Sequence, residues 1–234
     1  MPRLPQRHNP LQHAGPLNAI VDVEVAARAG WTPVDLASAC LNGGARFLQI
    51  RAKTLSSAAF LELTSRICAI AHPADAVVVV NDRADIARIA GADGVHVGQD
   101  DLAPAAARTL IGPAAIVGLS THTEPQIDAA LVQPLTYIAV GPIFGTATKA
   151  TGYHAVALDR VRYAAARIRR EADAKNGGER IGLVAIGGIT LDRAAEVIEA
   201  GATAVAVIAD LLSNGDPEGR VRAYLARLTG RGRV

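Results

Sequence analysis

The sequence predicts an α/β protein of the (β/α)8 class, a TIM barrel in a single domain. Three observations predict it. The first is a repeated junction in which a helical run ends in Gly, then Ala or Gly, and passes straight into a β-rich strand. Leu41-Asn42-Gly43-Gly44-Ala45 precedes Arg46-Phe47-Leu48-Gln49-Ile50, Ala90-Gly91-Ala92-Asp93 precedes Gly94-Val95-His96-Val97, and Ala200-Gly201-Ala202-Thr203 precedes Ala204-Val205-Ala206-Val207-Ile208. Glycine there ends a helix in a left-handed conformation that other residues resist. The second is alternation: eight short strands separated by helical runs imply parallel strands with crossover helices, and eight such units close into a barrel. The third is composition. Half the chain is hydrophobic but only 3% is aromatic, so Ala, Val, Ile and Leu fill the core, as suits helices packed on a buried parallel sheet. An open doubly wound sheet is the alternative.

In chain order, the strands are expected near 17–21, 46–50, 77–80, 94–97, 115–118, 137–140, 182–186 and 204–208. Helices are expected near 33–42, 56–71, 83–90, 103–111, 124–132, 155–171, 191–200 and 217–228. Several open on a capping residue: Thr32 before Pro33, Thr123 before Glu124, Thr190 before Leu191 and Asp216 before Pro217. The polar, glycine-rich stretch 172–180 reads as a surface loop preceding a strand, on the side of the barrel away from chemistry. Residues 1–16, rich in Pro, His, Gln and Arg, lack the apolar stretch of a secretory signal and read as a disordered or loosely docked arm, leaving 17–234 as the barrel.

The totals exclude several classes. A net charge of +2 demands neither nucleic acid nor an anionic membrane as partner. No apolar run approaches the length of a membrane span. Cys40 and Cys68 have no metal-binding or redox spacing and read as buried, reduced side chains, which fits a cytoplasmic setting. The oligomeric state is left open, a homo-oligomer included.

Chemistry in such a barrel sits at the C-terminal ends of the strands, and nearly every strand delivers polar or glycine residues there. Gln49, Arg51 and Lys53 alternate along an extended segment, so their side chains point the same way. Two cations beside an amide suit a polyanion such as pyrophosphate. Asp82 and Asp101 follow neighbouring strands; they either share a hard cation such as magnesium or cap the helices they open. Thr146, Thr148 and Lys149, on a loop with Gly141, Gly145 and Gly152, can cradle a phosphate or close over substrate. Gly187-Gly188 after the seventh strand lets backbone N–H groups approach an anion, or simply serves a tight turn. His96 lies inside a strand and reads as a satisfied core histidine. His122 is on the rim, and Ser120 has no His/Asp relay in sequence, which argues against a hydrolase triad.

These segments resemble the thiamine-phosphate synthase family. The resemblance rests on Gln49-Ile50-Arg51-Ala52-Lys53, Val80-Asn81-Asp82-Arg83, Asp93 through Asp101, Gly118 through Thr123, Gly141-Pro142-Ile143-Phe144 with Thr146-Ala147-Thr148-Lys149, and Ala185-Ile186-Gly187-Gly188-Ile189, in register from about Leu17 onward. It implies a magnesium-dependent transferase that joins an aminopyrimidine methyl diphosphate to a thiazole phosphate, or its carboxylate, releasing thiamine phosphate and pyrophosphate. Gln49 would contact the aminopyrimidine. Arg51, Lys53, Asn81 and Lys149 would hold the diphosphate, and Ser120 would line that site. Asp82 and Asp101 would carry Mg2+. Thr146, Thr148, Gly188 and the Ile208-Ala209 turn would hold the thiazole phosphate. The chain departs from the family at Ala52, Gly145 and Ala209; the last, where the family often has Ser, leaves phosphate contact there to backbone N–H. The implied mechanism ionises the CH2–O bond, with Arg51, Lys53 and Lys149 stabilising the departing pyrophosphate. The rivals are a thiazole tautomerase on the same barrel, which would need His122 and not the diphosphate set, a non-catalytic thiazole- or thiamine-phosphate binding protein, and a generic phosphate-binding barrel such as a sugar-phosphate epimerase.

Overall fold

The Gly-Ala junctions close in one way. Gly44, Gly91 and Gly201 take φ of +102°, +71° and +110°, and the alanine after each donates its N–H five residues back, Ala45 to Cys40, Ala92 to Ala87 and Ala202 to Val197, at 3.0, 3.0 and 3.3 Å. These bonds satisfy carbonyls that a helix end would otherwise leave open and turn the chain directly into the next strand.

The computed structural model describes residue 11 and residues 14–145, 157–174 and 181–230. The described strands form one closed parallel barrel in sequence order: β1 Leu17–Asp22, β2 Phe47–Arg51, β3 Val77–Asn81, β4 Gly94–Val97, β5 Ile116–Thr121, β6 Tyr137–Val140, β7 Gly182–Ile186 and β8 Ala204–Val207, with β8 pairing back to β1. The helices are α1 Val23–Arg28, α2 Pro33–Asn42, α3 Ser57–Ala71, α4 Ala84–Ala90, α5 Pro104–Ile111, α6 Glu124–Ala130, α7 Ala157–Ala174, α8 Leu191–Glu199 and α9 Pro217–Thr229, with 3-10 turns at His72–Ala74 and Ala209–Leu212.

Strand alternation divides the core in two. Outward residues such as Val21, Leu48, Val80, Val97 and Val140 pack under the helices. Inward residues, among them Ile20, Phe47, Val79, Ile116, Tyr137 and Val184, fill the barrel. Tyr137 fits because Gly118 faces it: a Cβ there would lie 2.1 Å from the tyrosine Cζ. At the N-terminal mouth Leu11 and Ala14 pack against this inner cluster, so the end of the expected arm lies on the barrel; the rest of that arm, residues 1–10, 12 and 13, lies outside the described residues.

Three details differ from the expected pattern. Helix α1 was not anticipated; Asp22 caps it, its carboxylate accepting from the Val25 N–H at 2.9 Å. Strand β5 runs on to Thr121, so Ser120 is a strand residue facing inward and not part of a loop. Helix α7 continues to Ala174, through residues expected in a loop, because Ala172 is buried on the same face as Val161, Ala164 and Ile168; residues 175–180 lie outside the described set. Of the expected caps, Thr32, Thr123 and Asp216 bond to their helices, whereas Thr190 makes no side-chain cap bond.

Candidate functional site

Strand β2 ends at Arg51, whose guanidinium meets the carboxylate of Asp22, itself 1% exposed at the end of the adjacent β1. Asp22 therefore both caps α1 and anchors Arg51. Arg51 Nε is buried with no protein partner, so one donor of the planar fork is left over. Beyond the strand, Glu24 of α1 gathers the next turn: its Oε1 accepts from the N–H groups of Lys53 and Thr54 at 3.2 and 3.1 Å and from Thr54 Oγ1 at 2.8 Å. Burial pushes the Glu24 carboxyl up, but hydrogen bonds with the Thr54 hydroxyl, its own N–H, the Asp22 side chain and the Lys53 N–H together hold it below its ordinary value.

Lys53 reaches across to pair with Asp82. Asp82 sits in the left-handed region at φ 65°, which Asp and Asn tolerate better than most residues. Neither Asp82 nor Asp101 caps a helix: the cap positions of α4 and α5 are Arg83 and Ala103. That removes the capping alternative. The two carboxyls are neighbours instead. Burial raises the Asp82 carboxyl above its ordinary range, the Lys53 ammonium pulls it back, and the Asp101 carboxylate pushes it further up. Asp101 is itself held by the Gly98 N–H, which donates to Oδ2 at 2.7 Å. Among the described residues no group of three or more His, Cys, Asp or Glu is placed to hold a metal; the pair is what this rim offers.

Two cavities adjoin inside the rim. The inner one is lined by Asn18, Gln49, Arg51, Asn81, His96, Ser120, Tyr137 and Ile208, among others. His96 is satisfied, as expected of a core histidine: Nδ1 lies 2.9 Å from the Tyr137 hydroxyl and Nε2 2.8 Å from Ser120 Oγ. The outer cavity, of about 390 Å3, is lined by Ser120, His122, Gly188, Ile208, Ala209 and Asp210 with others. Ser120 and Ile208 belong to both. Gly188 has φ 64°, and a Cβ there would come within 2.5 Å of the Gly145 carbonyl, so glycine lets the loops after β6 and β7 close against each other. His122 is tied down through Nδ1 to the Gly141 carbonyl at 2.6 Å. Asp210 fastens the floor: its Oδ2 accepts from the first N–H of α8, at Leu191, from Arg220 at 2.7 Å and from the Tyr224 hydroxyl.

The structure thus brings together Gln49, Arg51, Asn81, Ser120 and Ile208, places Lys53 with Asp82 and Asp101, and places Gly188 and Ala209 on the outer cavity. Thr146, Thr148 and Lys149 lie outside the described residues. Sequence reasoning gave no role to Asn18, Asp22, Glu24, Tyr137 or Asp210. Asn18 carried a signal, as a polar residue in the apolar run 17–21. It is 1% exposed, and neither end of its amide has a partner.

A profile of the thiamine monophosphate synthase family matches residues 17–211. A thiamine-phosphate synthase of Anaeromyxobacter dehalogenans is 44% identical over 189 residues, covering 81% of this chain and 80% of its own. Another, of Chlorobium luteolum, is 38% identical over 195 residues, covering 83% and 87%. Among solved structures, a thiamine phosphate pyrophosphorylase from Pyrococcus furiosus superposes with a TM-score of 0.80 at 24% identity, covering 94% of this chain and 98% of its own; at that identity the likeness is one of fold.

Proposed function

The chain belongs to the thiamine monophosphate synthase family, and on that premise we propose how its rim residues divide the work of a thiamine-phosphate synthase. The enzyme is a transferase of thiamine biosynthesis. It moves a pyrimidinylmethyl group from diphosphate to the nitrogen of a thiazole phosphate, leaving pyrophosphate.

The observation that carries the assignment of residues is that Ser120 and Ile208 line both cavities. One ends on Gln49, Arg51 and Asn81, the other on Gly188 and the Ile208-Ala209 backbone. Two substrates with anionic tails at opposite ends meet in the middle. Arg51, Lys53, Asn81 and Lys149 hold the diphosphate; Gln49 and Ser120 hold the aminopyrimidine. Gly188, Thr146, Thr148 and the N–H groups of the Ile208-Ala209 turn take the thiazole phosphate.

Asp82 and Asp101 fit a magnesium ion, because two carboxyls side by side, one pushed up by burial and by the other, are relieved by a cation between them. Magnesium on phosphates needs only one or two protein carboxylates. When bound, it supplies neutralisation of the charge that gathers on the pyrophosphate. Asp22 keeps the Arg51 fork turned to the same anion. The CH2–O bond breaks and its electron pair leaves with pyrophosphate. The amino group of the ring stabilises the cation, and the thiazole nitrogen lone pair closes the new C–N bond. No side chain has to remove a proton; catalysis is positioning and preorganised charge.

Residues 17–234 make up the catalytic barrel in this reading. A cytoplasmic location accords with Cys40 and Cys68, both free and buried, and with the finding that no described helix is long and apolar enough to cross a membrane. Purified protein is expected to release pyrophosphate only with both substrates and magnesium, with thiamine phosphate formed in step. Asp101→Ala and Lys149→Ala should each cut turnover by about 100-fold or more. Pyrophosphate release that needs no metal, or near wild-type turnover in both variants, overturns the assignment.

A further inference from the structure

The inner cavity has an unmet hydrogen-bonding group at each end. At the rim it is Arg51 Nε, buried and without a partner. Deep in the barrel it is the amide of Asn18, on the inward face of β1, 1% exposed and with neither Oδ1 nor Nδ2 partnered. Among the described residues Asn18 is the only side chain that buries two polar atoms in this way. Strand register sets the spacing. Asn18 pairs with Phe47 and Asp22 with Arg51, so Asn18 lies four residues below the level of Arg51, about 13 Å along the strand. Between the two ends the wall is apolar, with Ile20, Ala139, Ile186 and Ala206.

A buried amide left unpaired costs stability, and an apolar side chain of similar size would sit there without that cost. Native interiors keep few such groups, and each calls for an explanation. The order of the cavity supplies one. It is polar at depth, apolar in the middle and cationic at the rim, the complement of a flat ring that has a polar edge and carries an anion on its far side. An aminopyrimidine methyl diphosphate is such a molecule. Its amino group beside a ring nitrogen shows a donor beside an acceptor, and an amide shows an acceptor beside a donor in one plane. No bond to the protein commits either end of Asn18, so the amide meets the ring edge in either orientation.

We infer that Asn18 is a substrate-binding residue, which reads the amino edge of the pyrimidine from the floor of the inner cavity while Arg51 takes the diphosphate at the rim. The inference rests on the placement above of the pyrimidine beside Gln49 and Ser120, which line the same cavity, and it adds a contact from a further strand. It also accounts for the open amide: the free protein is less stable for carrying it, and the ring satisfies it on binding. An acceptor on the amino N–H supports the electron release by which the ring carries the cation.

Calorimetry on the full-length protein, with magnesium and without thiazole phosphate, compares three ligands: the aminopyrimidine methyl diphosphate, the same molecule with hydrogen in place of the amino group, and pyrophosphate. Wild-type protein should bind the first about tenfold or more tighter than the second. Asn18→Leu should reduce that preference to under about threefold and leave pyrophosphate affinity within about twofold of wild type. A preference absent from the wild type, or kept in full by Asn18→Leu, or an equal loss on all three ligands, overturns the inference. Should the variant not fold, the wild-type spectrum decides. The Asn18 side-chain 1H–15N resonances should shift with the aminopyrimidine diphosphate and stay in place with pyrophosphate. Resonances that stay in place with both, as for an amide held by a buried water, or move as far with pyrophosphate, overturn it. Wild-type protein that binds the aminopyrimidine diphosphate no tighter than pyrophosphate overturns the placement of the pyrimidine itself, and this inference with it.

Discussion

Asp22 joins structure and chemistry at a single carboxylate, since it caps α1 and anchors Arg51. The two duties separate by mutation. Asp22→Asn keeps a capping oxygen and loses the charge; Asp22→Ala loses both. Breaking a pair this buried costs about 3 kcal/mol, and a lost cap about 1 kcal/mol more. Denaturant titration should therefore rank Ala below Asn, and both variants should raise the KM for the pyrimidine diphosphate. Asn18 argues the other way. Its buried amide has no partner at either end, a cost of about 1–3 kcal/mol that an apolar side chain of similar size avoids. Asn18→Leu should raise the melting temperature; an unchanged or lower value would mean that the amide is solvated or otherwise satisfied. Asp82 and Asp101 were legible in sequence as a pair that either shares a cation or caps two helices. Only the backbone, with Arg83 and Ala103 in the cap positions, excludes capping.

At the scale of elements, the site is assembled from turns that secure one another. Glu24 on α1 holds the Lys53–Thr54 turn through three bonds. Its carboxyl lies below its ordinary value of 4.5 in the fold. A carboxyl lowered in this way contributes stability that is present above the unfolded value and is lost as pH falls through the folded one. The protection factor of the Thr54 amide, its exchange relative to the unfolded chain at the same pH, should therefore be high at neutral pH and fall in acid below about 4.5, and Glu24→Gln should remove most of that dependence. On the opposite rim, Asp210 ties α8, α9 and the 209–212 turn together. Asp210→Asn should raise the KM for thiazole phosphate with little effect on that for the pyrimidine diphosphate; equal effects on both would mean a general loss of packing. Helix α1 was missed because its six residues are too short to show helical periodicity, whereas α7 was cut short because its last turn is held by burial of Ala172 against a polar local sequence.

For the whole molecule, the barrel has two cores, and the inner one is closed at its N-terminal mouth by Leu11 and Ala14. Deleting residues 1–13 should leave the barrel folded and lower the melting temperature by about 2–4 °C, the shift expected for some 1 kcal/mol in a chain of this size; loss of folding would give the arm a larger part. Strand order, parallel pairing and barrel closure were legible because they follow from local rules: glycine ends a helix, an apolar run makes a buried strand, and the unit repeats. The same rules placed Gln49, Arg51, Asn81, Asp82, Gly188 and Ile208 at the C-terminal rim. What the chain alone could not decide is which of these residues meet across the barrel. The bonds from Arg51 to Asp22, from Lys53 to Asp82 and along Tyr137, His96 and Ser120 join residues from different strands. Periodicity along one strand says which face a side chain takes, but only the closure, register and diameter of the barrel set which face it meets.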